Sequence, residues 1–544
     1  MSKASDYLQN HLEGEVVASV DVREYFSTDA SIFKVIPQMV VYPRTAQDVR
    51  KVARFTWQLA ERGKVIPITA RGGGSDLGGG AIGAGIILAF PAHLNKILTL
   101  DSSRGIVTVQ AGLNFGHLQQ TLQTHGLHLP PAPASSEYST IGGALANNVS
   151  SDQSVKYGVM KDYVRQLKVV LANGEIIEVK KLSKKEVNKK MGESTFEGEV
   201  YRALSGLLAD HKELLKSKRN ATLNNAGYDI KNIMSKDGSI DLCQLFVGSQ
   251  GTLGIITEAI VEAASYNPKK SLALGYFDDY EKAGQAIVEL KKLIPSSLEI
   301  VGGSLLSFIH KNSPNLLKGV LLGDNTAPKS IIFVQFDNRA SRTQHLQIRK
   351  AKKILQKYAY NQQVSFDLVE QERLLKIRES ASVALWESHG TKKGLPVIDD
   401  SVVPIKALPE FLKKADELFA ANYLEVPLWG HAGDGNIHMQ PFFDLNEVGD
   451  RQKMIKIMEE FYRLVVSFDG SISGGYNDGR VRGPYLRLQY GEEMYQVFRK
   501  IKQIFDPYNT LNPGVKVDVL EKDLLQNMRQ NYSLSHFYTY LPRN

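Results

Sequence analysis

The stretch VIPITARGGGSDLGGGAIGAGIILAF, residues 65–90, places two short apolar runs on either side of a glycine-rich turn. The runs VIPITA (65–70) and IILAF (86–90) predict strands. Within the turn, GGGAIG at 78–83 has the G-x-G-x-x-G spacing of dinucleotide-binding folds. That motif needs a helix directly after its glycines, whereas a strand follows here. The stretch therefore predicts a strand–turn–strand unit and argues against a Rossmann fold.

The segment RGGGS, residues 71–75, is the part of this turn that suggests a ligand. Consecutive glycines let several backbone N–H groups point to one place and form a concave nest for phosphate oxygens. Arg71 would add positive charge to such a nest. On these five residues alone, a plain glycine-rich turn is the simpler interpretation.

The chain on both sides of this stretch, up to about residue 265, mixes short strands and helices. Residues 45–63 and 115–126 predict helices from their apolar periodicity. Residues 97–112 and 164–180 predict hairpins, the second with an Asn173-Gly174 turn. Residues 245–263 predict a strand, a glycine turn and a second strand.

From about residue 270 a strand–helix rhythm begins. A strand and a helix are predicted over 271–294, a strand over 330–338, and helices over 343–358 and 406–423. We therefore expect an α+β protein with a first domain over residues 1–265, a second over 266–500 and a C-terminal segment over 501–544.

Composition excludes several classes of function. Of the 544 residues, 43% are hydrophobic, which allows a sizeable core. The single cysteine, Cys243, excludes internal disulfides and a cysteine-ligated iron–sulfur cluster. The formal charge of +8 is mild for this length. It suits anionic ligands or an acidic membrane surface, and it gives no sign of nucleic-acid binding.

Two segments bear on location. The basic run KKLSKKEVNKK, residues 180–190, is best explained as a solvated surface insertion, and a membrane or partner contact is the alternative. The first residues, MSKASDYLQNHLEGEV, contain no apolar segment typical of a secretory signal. The longest apolar run, AIGAGIILAF, is about half the length of a membrane span. We expect a soluble, cytoplasmic protein.

Six ordered segments resemble the FAD-linked oxidases with a vanillyl-alcohol-oxidase (PCMH) type flavin domain. They are YFSTDASIFKVIPQMVVYPRTAQDV, PITARGGGSDLGGGAIGAGIIL, PPAPASSEYSTIGGALANNVSSDQSVKYG, LFVGSQGTLGIITEAIVEA, GHAGDGNIH and FDPYNTLNPGVK. Within that family the sequence is similar to the D-lactate, glycolate and D-2-hydroxyglutarate dehydrogenases. The resemblance implies an FAD domain of two α+β subdomains, an α/β cap domain with an antiparallel sheet, and a C-terminal tail that returns to the FAD domain.

The resemblance also implies where FAD would lie. Its pyrophosphate would contact the RGGGS segment, and the stretches TIGGALANN (140–148) and GSQGTLGI (248–255) would line the rest. The residues expected to contact FAD are Arg71, Gly72, Gly73, Gly74, Ser75, Thr140, Gly142, Gly143, Asn147, Gly251, Gly254, Ile255 and Asn512. Position 75 is serine and the only cysteine lies elsewhere, so we expect non-covalent FAD.

On the substrate side, the family keeps an arginine for the substrate carboxylate, and Arg378 in LLKIRESAS matches it. Arginine binds carboxylates through two parallel hydrogen bonds. Ser382, Lys393 and Asn436 complete the substrate-binding set that the resemblance implies. Any one of them alone is more simply a surface or structural residue, but as a matched set they indicate a small carboxylate substrate.

The stretch GHAGDGNIH, residues 430–438, holds His431 and His438 around a Gly-Asp-Gly turn. On a straight strand the two rings would lie on opposite faces, but the turn can bring them together. Two imidazoles are half of a zinc-like site, which needs a third ligand. Several family members bind a divalent metal here. Their third ligand is the Glu of a downstream S-G-E-H-G stretch, whose His is the proposed base.

In this chain the corresponding stretch, SISGGYNDGRVRGPYL (471–486), has Gly475 and Tyr476 in place of that Glu and His. A metal such as zinc at His431 and His438 is therefore the weaker expectation. It would have to recruit Asp434 or Asp478, and plain hydrogen bonding in a polar pocket is the alternative.

Tyr476 and His431 are the candidates for the base. An ordinary tyrosine has a pKa of about 10, so a cation such as Arg480 or a metal would have to lower it.

Three interpretations remain. The preferred one is FAD-dependent oxidation of a D-2-hydroxy acid to the 2-oxo acid by hydride transfer to flavin N5. The second is another substrate or non-redox chemistry, as in the alkyl-dihydroxyacetone-phosphate synthases. The third is a flavin-binding protein without chemistry. In the first, electrons would leave to a quinone, a cytochrome, an electron-transfer flavoprotein or oxygen. Peripheral contact with the inner membrane face and homo-oligomerisation are left open.

Overall fold

The computed structural model describes residues 3–216, 221–312, 314–317, 320, 328–379, 381, 385 and 390–534. Its first sheet contains β1 (Glu15–Val17), β2 (Met39–Tyr42), β3 (Ile68–Arg71) and β4 (Ile86–Ala89), in the order β1-β2-β4-β3. Strands β2, β4 and β3 are parallel. Parallel neighbours need a crossover of about a dozen residues, usually a helix. Here the glycine-rich loop 72–85 is the crossover, as the strand–turn–strand prediction implies.

The second sheet is antiparallel and contains β5 (Ile97–Asp101), β6 (Ile106–Gln110), β7 (Val164–Val170), β8 (Ile176–Val179) and β9 (Ile255–Glu262). The strand order is β5-β6-β9-β7-β8. Both predicted hairpins are confirmed, and Gly174 has the positive φ of 89° that its turn requires. Residues alternate between buried and half-buried along β9, because successive side chains of a strand point to opposite faces.

The cap domain is built on a seven-stranded antiparallel sheet. Its strands are β10 (Ser271–Phe277), β11 (Ser297–Gly302), β12 (Ser330–Phe336), β13 (Asn361–Ser365), β14 (Ser401–Val402), β15 (Leu428–His431) and β16 (Asn436–Met439). The order is β13-β10-β12-β11-β15-β16-β14. Helices cover both faces, so β10, β11 and β12 are buried along their whole lengths.

Helices and short ladders complete the described chain. The helices of the first domain are Lys3–His11, Val20–Tyr25, Ala46–Ala60, Phe115–Thr124, Ile141–Asn147, Ser154–Tyr157, Lys184–Met191, Phe196–Asp210, Lys212–Leu215 and Cys243–Phe246. Those that follow are Tyr280–Lys291, Gly303–Asn312, Ser341–Tyr358, Leu368–Glu379, Leu408–Ala421, Val448–Ser467, Leu486–Phe505 and Glu521–Gln526. Two-residue ladders pair Leu127–His128 with Ala264–Ser265, Lys181–Leu182 with Ile240–Asp241, and Lys393–Gly394 with Phe442–Phe443.

The C-terminal segment returns to the first sheet, as expected. The Ile68 N–H donates to the Thr510 carbonyl at 2.7 Å, and the Asn512 N–H donates to the Ile68 carbonyl at 2.8 Å. The helix Leu486–Phe505 packs beside Phe196–Asp210. It runs across residue 500, the predicted boundary between the second domain and the C-terminal segment. No helix of the described residues combines the length and apolar character needed to cross a bilayer.

One predicted element is wrong. Residues 245–247 were expected to form a strand before the glycine turn, but Cys243–Phe246 is a helical turn. Its side chains are buried in the core of the second sheet. A short apolar run looks the same whether it is buried as a strand or as a helical turn.

Candidate functional site

A single cavity of about 710 Å³ runs from the glycine-rich loop of the first domain to the sheet of the cap. Its first-domain wall is made of Arg71 to Asp76, the segment 139–152, and the turn 250–254. Its cap wall carries most of the chemically active side chains. They are Lys270, Glu299, Arg378, Glu379, His431, His438, Gln440 and Tyr476.

The glycine loop fits a phosphate-bearing cofactor. A Cβ at Gly72 would overlap the Thr140 hydroxyl, and one at Gly73 would overlap the Tyr138 carbonyl. Only glycine therefore lets the backbone come this close to the opposite wall. Within the described part of the chain, the N–H groups of Gly73, Gly74 and Ser75 donate to no protein acceptor. Such N–H groups at a cavity wall suit phosphate oxygens.

The opposite wall is held by a polar network. The Thr140 hydroxyl caps the helix Ile141–Asn147 by accepting from the Gly143 N–H at 3.1 Å. The Asn147 side chain donates to Asp76 at 2.8 Å and accepts from Gln250 at 3.0 Å. Burial raises the pKa of Asp76 to about 6, and the nearby Asp29 adds to the rise. Both walls of the cofactor end are thus tied to each other before a ligand enters.

Most of the residues expected to contact FAD line the cavity. They are Arg71, Gly72, Gly73, Gly74, Ser75, Thr140, Gly142, Gly143, Asn147, Gly251 and Gly254. The Arg71 guanidinium is nevertheless turned to backbone carbonyls, with a 2.7 Å bond to that of Thr28.

The other two expected FAD contacts, Ile255 and Asn512, lie behind the wall. Strand alternation sends Ile255 into the core and puts Ile256 at the cavity. The Asn512 amide donates to the Gly80 and Gln250 carbonyls, at 2.8 Å each, and supports both loops from behind.

On the cap side, the GHAGDGNIH stretch is a hairpin that brings the two histidines together, as expected. Strands β15 and β16 pair Trp429 with His438 and His431 with Asn436. Gly435 takes the positive φ of 68° at the turn. The rings of His431 and His438 are 5.3 Å apart and nearly perpendicular. Both rings line the cavity.

His431 belongs to a buried charged cluster with Glu299 and Arg378. Its Nδ1 lies 2.9 and 3.1 Å from the two Glu299 oxygens, and 3.4 Å from an Arg378 nitrogen. The shorter distances indicate that Nδ1 carries the proton and donates it to Glu299. Arg378 Nε donates to Glu299 at 2.6 Å. Burial by itself would raise the pKa of Glu299, but His431 and Arg378 together lower it below its ordinary value.

His438 is fixed in a similar way by Asp399. Its Nδ1 lies 2.8 Å from one Asp399 oxygen, and Gln440 donates to the other at 2.8 Å. The Tyr476 ring stacks on His438 with centroids 5.0 Å apart. Nε2 of each histidine is therefore left as the acceptor nitrogen in the neutral ring.

Tyr476 does not have the lowered pKa that a tyrosine base needs. Burial raises its pKa well above 10, and the Asp399 and Asp400 carboxylates raise it further. Arg480, the cation expected to lower it, instead donates to the carbonyls of Gly79 and Ile82, at 3.0 and 2.9 Å. Arg480 therefore does not supply the activating cation that a tyrosine base would need, because the first domain engages its guanidinium.

The residues present do not fit a metal of the family type. Gly475 offers no ligand, and a Cβ there would overlap the Ser150 hydroxyl. Asp478 pairs with Lys516 at 2.8 Å, and one oxygen of the buried Asp434 has no hydrogen-bond partner. Across the described residues, no three His, Cys, Asp or Glu side chains are grouped so as to hold an ion.

Of the expected substrate-binding residues that the structure describes, only Arg378 lines the cavity. Lys393 lies in the short ladder with Phe443. Asn436 is fully buried and donates to Asp400 at 3.1 Å. Ser382 lies outside the described residues.

Sequence reasoning missed Lys270, Glu299 and Asp399. They sit in no motif and reach the site only through the cap sheet and its loops.

Two protein-family models match this chain. The model described as "FAD binding domain" matches residues 37–180, and that of "FAD linked oxidases, C-terminal domain" matches residues 267–515. The chain belongs to the FAD-linked oxidases. The first of these matches contains the glycine loop, and the second contains every cap residue named above.

Curated relatives of this FAD-linked oxidase are similar along nearly all of its length. The D-2-hydroxyglutarate dehydrogenase of Escherichia coli is 28% identical over 523 residues, which is 93% of this chain and 50% of the relative. The chain thus spans about half the length of these dehydrogenases. The glycolate oxidase subunit GlcD of Bacillus subtilis is 28% identical, with 90% of this chain and 92% of the relative covered. The D-lactate dehydrogenase of Archaeoglobus fulgidus is 28% identical, with 88% and 90% covered.

Solved structures show that this FAD-linked oxidase has the fold of the PCMH-type flavoproteins. p-Cresol methylhydroxylase matches with a TM-score of 0.67 at 14% identity, covering 95% of this chain and 96% of its own. An alkyldihydroxyacetonephosphate synthase matches with a TM-score of 0.59 at 17% identity, covering 92% and 82%. At these identities the likeness concerns the fold alone.

Proposed function

We propose that this FAD-linked oxidase oxidises a small D-2-hydroxy acid, of the lactate, glycolate or 2-hydroxyglutarate kind, to the 2-oxo acid. The observation that carries the proposal is the single cavity that joins the glycine loop to Arg378 and His431. A flavin-binding wall and a carboxylate-binding arginine with an imidazole acceptor face the same space. The names of the curated relatives support the same substrate class.

Arg378 would hold the substrate carboxylate. Its Nε is fixed on Glu299 at 2.6 Å and one terminal nitrogen lies 3.4 Å from His431, which leaves the remaining N–H groups of the terminal nitrogens for a ligand in the cavity. A guanidinium keeps its charge at any physiological pH and matches both oxygens of a carboxylate. Lys270 lines the same cavity and supplies a second cation.

His431 would accept the hydroxyl proton. Glu299 holds its Nδ1–H, so the ring is oriented and Nε2 is free to act as the base. The carboxylate also stabilises the imidazolium that forms. Tyr476 keeps its proton and would act as a hydrogen-bond donor to the substrate.

Bound FAD would supply the hydride acceptor at this site. Its phosphates would lie at Gly72–Ser75, as the unused N–H groups there indicate. Since this chain has one cysteine, which is buried, it holds no cysteine-ligated cluster to carry electrons away. A quinone, a cytochrome, another flavoprotein or oxygen remains the proposed acceptor. A cytoplasmic location remains a prediction.

A second candidate is an FAD protein with changed or lost chemistry. Gly475, Tyr476 and the Ser150 side chain that fills the space beside Gly475 favour it. In that case FAD would be bound but no 2-hydroxy acid would reduce it.

The test is an anaerobic titration of the purified protein with D-2-hydroxy acids, followed by the visible flavin absorbance. Bleaching by one member of the series is the expected result. A flavin that dithionite reduces but no hydroxy acid does would reject the proposal in favour of the second candidate.

Arg378→Lys should weaken substrate binding about 100-fold while FAD content is kept, because a lysine cannot form the paired bonds. Arg373→Lys is the matched control. It changes an exposed arginine of the same helix and should have no effect.

A further inference from the structure

The cap helix Ser341–Tyr358 carries charge of one sign only. Its sequence, SRTQHLQIRKAKKILQKY, has six lysines and arginines and no acidic residue. Its buried side chains are Gln344, Ile348, Ala351 and Leu355, so the basic residues face solvent. Lys357 pairs with Glu289. Arg342, Arg349, Lys350, Lys352 and Lys353 form no ion pair with any described residue.

An apolar tip lies beside this helix, where the chain passes from the edge strand β13 into the next helix. Phe366, Leu368 and Val369 have 49%, 46% and 74% of their surfaces exposed. Three large apolar side chains in four residues are unusual on a protein surface, where such residues normally occur singly.

The tip and the basic helix form one surface. The His345 ring stacks on that of Phe366, with centroids 4.8 Å apart and planes 15° apart. Leu346, half exposed on the helix, adds to the apolar area. We call this surface the cap patch: the exposed side of Ser341–Tyr358 together with Phe366, Leu368 and Val369.

The acidic residues of the adjoining segment form no ion pair with the cap patch. Asp367 accepts from the Glu370 N–H at 2.8 Å and starts the helix. Glu370 accepts from Ser365 and Gln363, at 2.5 and 3.1 Å. Both carboxylates are hydrogen-bonded within their own segment, and neither pairs with any of the five unpaired cations, which outnumber them.

We propose that the cap patch docks on the surface of an anionic lipid bilayer. The cations suit acidic headgroups, and the protruding apolar side chains suit the boundary between headgroups and acyl chains. A nucleic acid would use the cations but gains nothing from an exposed valine and leucine. An acidic protein partner is the rival occupant, and the test below separates it from lipid.

Docking through the cap patch would place the substrate cavity close to the bilayer. The helix Leu368–Glu379 begins at the apolar tip, and its last residues, Arg378 and Glu379, line the cavity. Ten residues of helix span about 15 Å, so the substrate chamber would lie one short helix from the bilayer surface. The proposal stands on the surface alone and does not depend on the proposed reaction.

The first experiment is co-sedimentation of the full FAD-loaded protein with phosphatidylcholine vesicles, with and without phosphatidylglycerol. We expect binding only to the anionic vesicles, weakened by salt. Arg349→Gln with Lys353→Gln should lower partitioning about 30-fold, which is the effect of two cations at a bilayer surface. Lys184→Gln with Lys185→Gln is the matched control. It removes two exposed lysines from the other basic segment and should change little.

The second experiment tests insertion. Val369→Trp should show a blue-shifted emission with anionic vesicles and none with soluble acidic polymers. Absence of anionic vesicle binding would overturn the proposal, as would equal losses in both double variants. A cap patch that binds an acidic protein or polymer but not vesicles would assign it to the rival partner. None of these measurements requires turnover, so they stand whether or not a hydroxy acid reduces the flavin.

Discussion

His431 and Tyr476 face the same chamber but differ in what their surroundings do to a proton. Glu299 accepts a hydrogen bond from the Nδ1–H of His431, which leaves Nε2 as an acceptor. Asp399 and Asp400 make it harder to remove the proton of Tyr476, whose burial has already raised its pKa. The imidazole therefore offers an acceptor nitrogen for a proton, whereas the phenol can only donate a hydrogen bond.

This contrast gives a prediction at residue scale. His431→Gln should slow anaerobic flavin reduction about 10²–10⁴-fold, the usual loss for a general base, since glutamine can still donate to Glu299 but cannot accept the proton. Tyr476→Phe should slow it less than about tenfold. Stopped-flow absorbance after mixing with substrate measures both, with FAD content as the control. The opposite ranking would make Tyr476 the base.

Asp434, in the turn between the two histidines, gives a second residue-scale prediction. Burial raises its pKa from an ordinary value of 3.8 to about 6. The folded protein therefore binds this proton more tightly than the unfolded chain does. The resulting stabilisation is complete below about pH 4 and is lost as the pH rises through 6.

Asp434→Asn should remove this pH dependence. The difference in unfolding free energy between variant and wild type should grow by up to about 3 kcal/mol between pH 4 and pH 7, in favour of the variant. Urea unfolding at a series of pH values measures it. Parallel curves for the two proteins would show that folding does not change the pKa of Asp434.

The sequence predicts part of the site and misses the rest for a physical reason. The meeting of His431 and His438 follows from a local turn, so the motif is enough to predict it. Glu299 lies on β11, which pairs with β15, the strand that carries His431. No local sequence pattern predicts that these two strands are neighbours. The contact between His431 and His438 is short-range in sequence. The contacts that orient the two rings, with Glu299 and Asp399, are long-range.

At the scale of elements, the glycine crossover is the part most sensitive to substitution. Gly73→Ala should cost most of the bound FAD, because its Cβ would overlap the Tyr138 carbonyl and push the loop from the opposite wall. The FAD-to-protein absorbance ratio after purification measures this. Gly206→Ala is the control, since nothing lies within 4 Å of a Cβ there. As a helical position, it should keep full FAD and gain up to about 1 kcal/mol.

The elements themselves were largely predictable. The helices Ala46–Ala60 and Ser341–Tyr358 have periodic apolar faces and match their predicted positions within a few residues. The error at Cys243–Phe246 concerns a run too short to show a period. The loop 474–476 was not predictable, because its three backbone N–H groups are held by Asp400 from another part of the cap.

At the scale of the molecule, a buried ion pair and a buried hydrogen bond hold the C-terminal segment against the two domains. Lys516 donates to Asp478 at 2.8 Å, and both side chains are fully buried. Lys502 donates to Asp506 and to the Thr252 carbonyl, at 2.6 and 2.8 Å. The tail therefore connects the loop that carries Tyr476 to the turn that lines the cofactor end of the cavity.

Lys516→Met should lower the unfolding free energy by about 3–5 kcal/mol, because it leaves Asp478 buried without its partner. Lys500→Met, at an exposed position of the preceding helix, should stay within about 0.5 kcal/mol. Urea unfolding followed by flavin and far-ultraviolet signals measures both. Equal stability of the two variants would mean that the tail contributes little to joining the domains.

The contact between Gly475 and Ser150 couples these two positions. A Cβ at position 475 would overlap the Ser150 hydroxyl, so a glutamate there requires the serine side chain to turn away or to be replaced by a smaller one. The effect of a substitution at 475 therefore depends on the residue at 150, and the two positions should not vary independently. Relatives that keep the glutamate should carry a smaller or displaced residue at the position of Ser150.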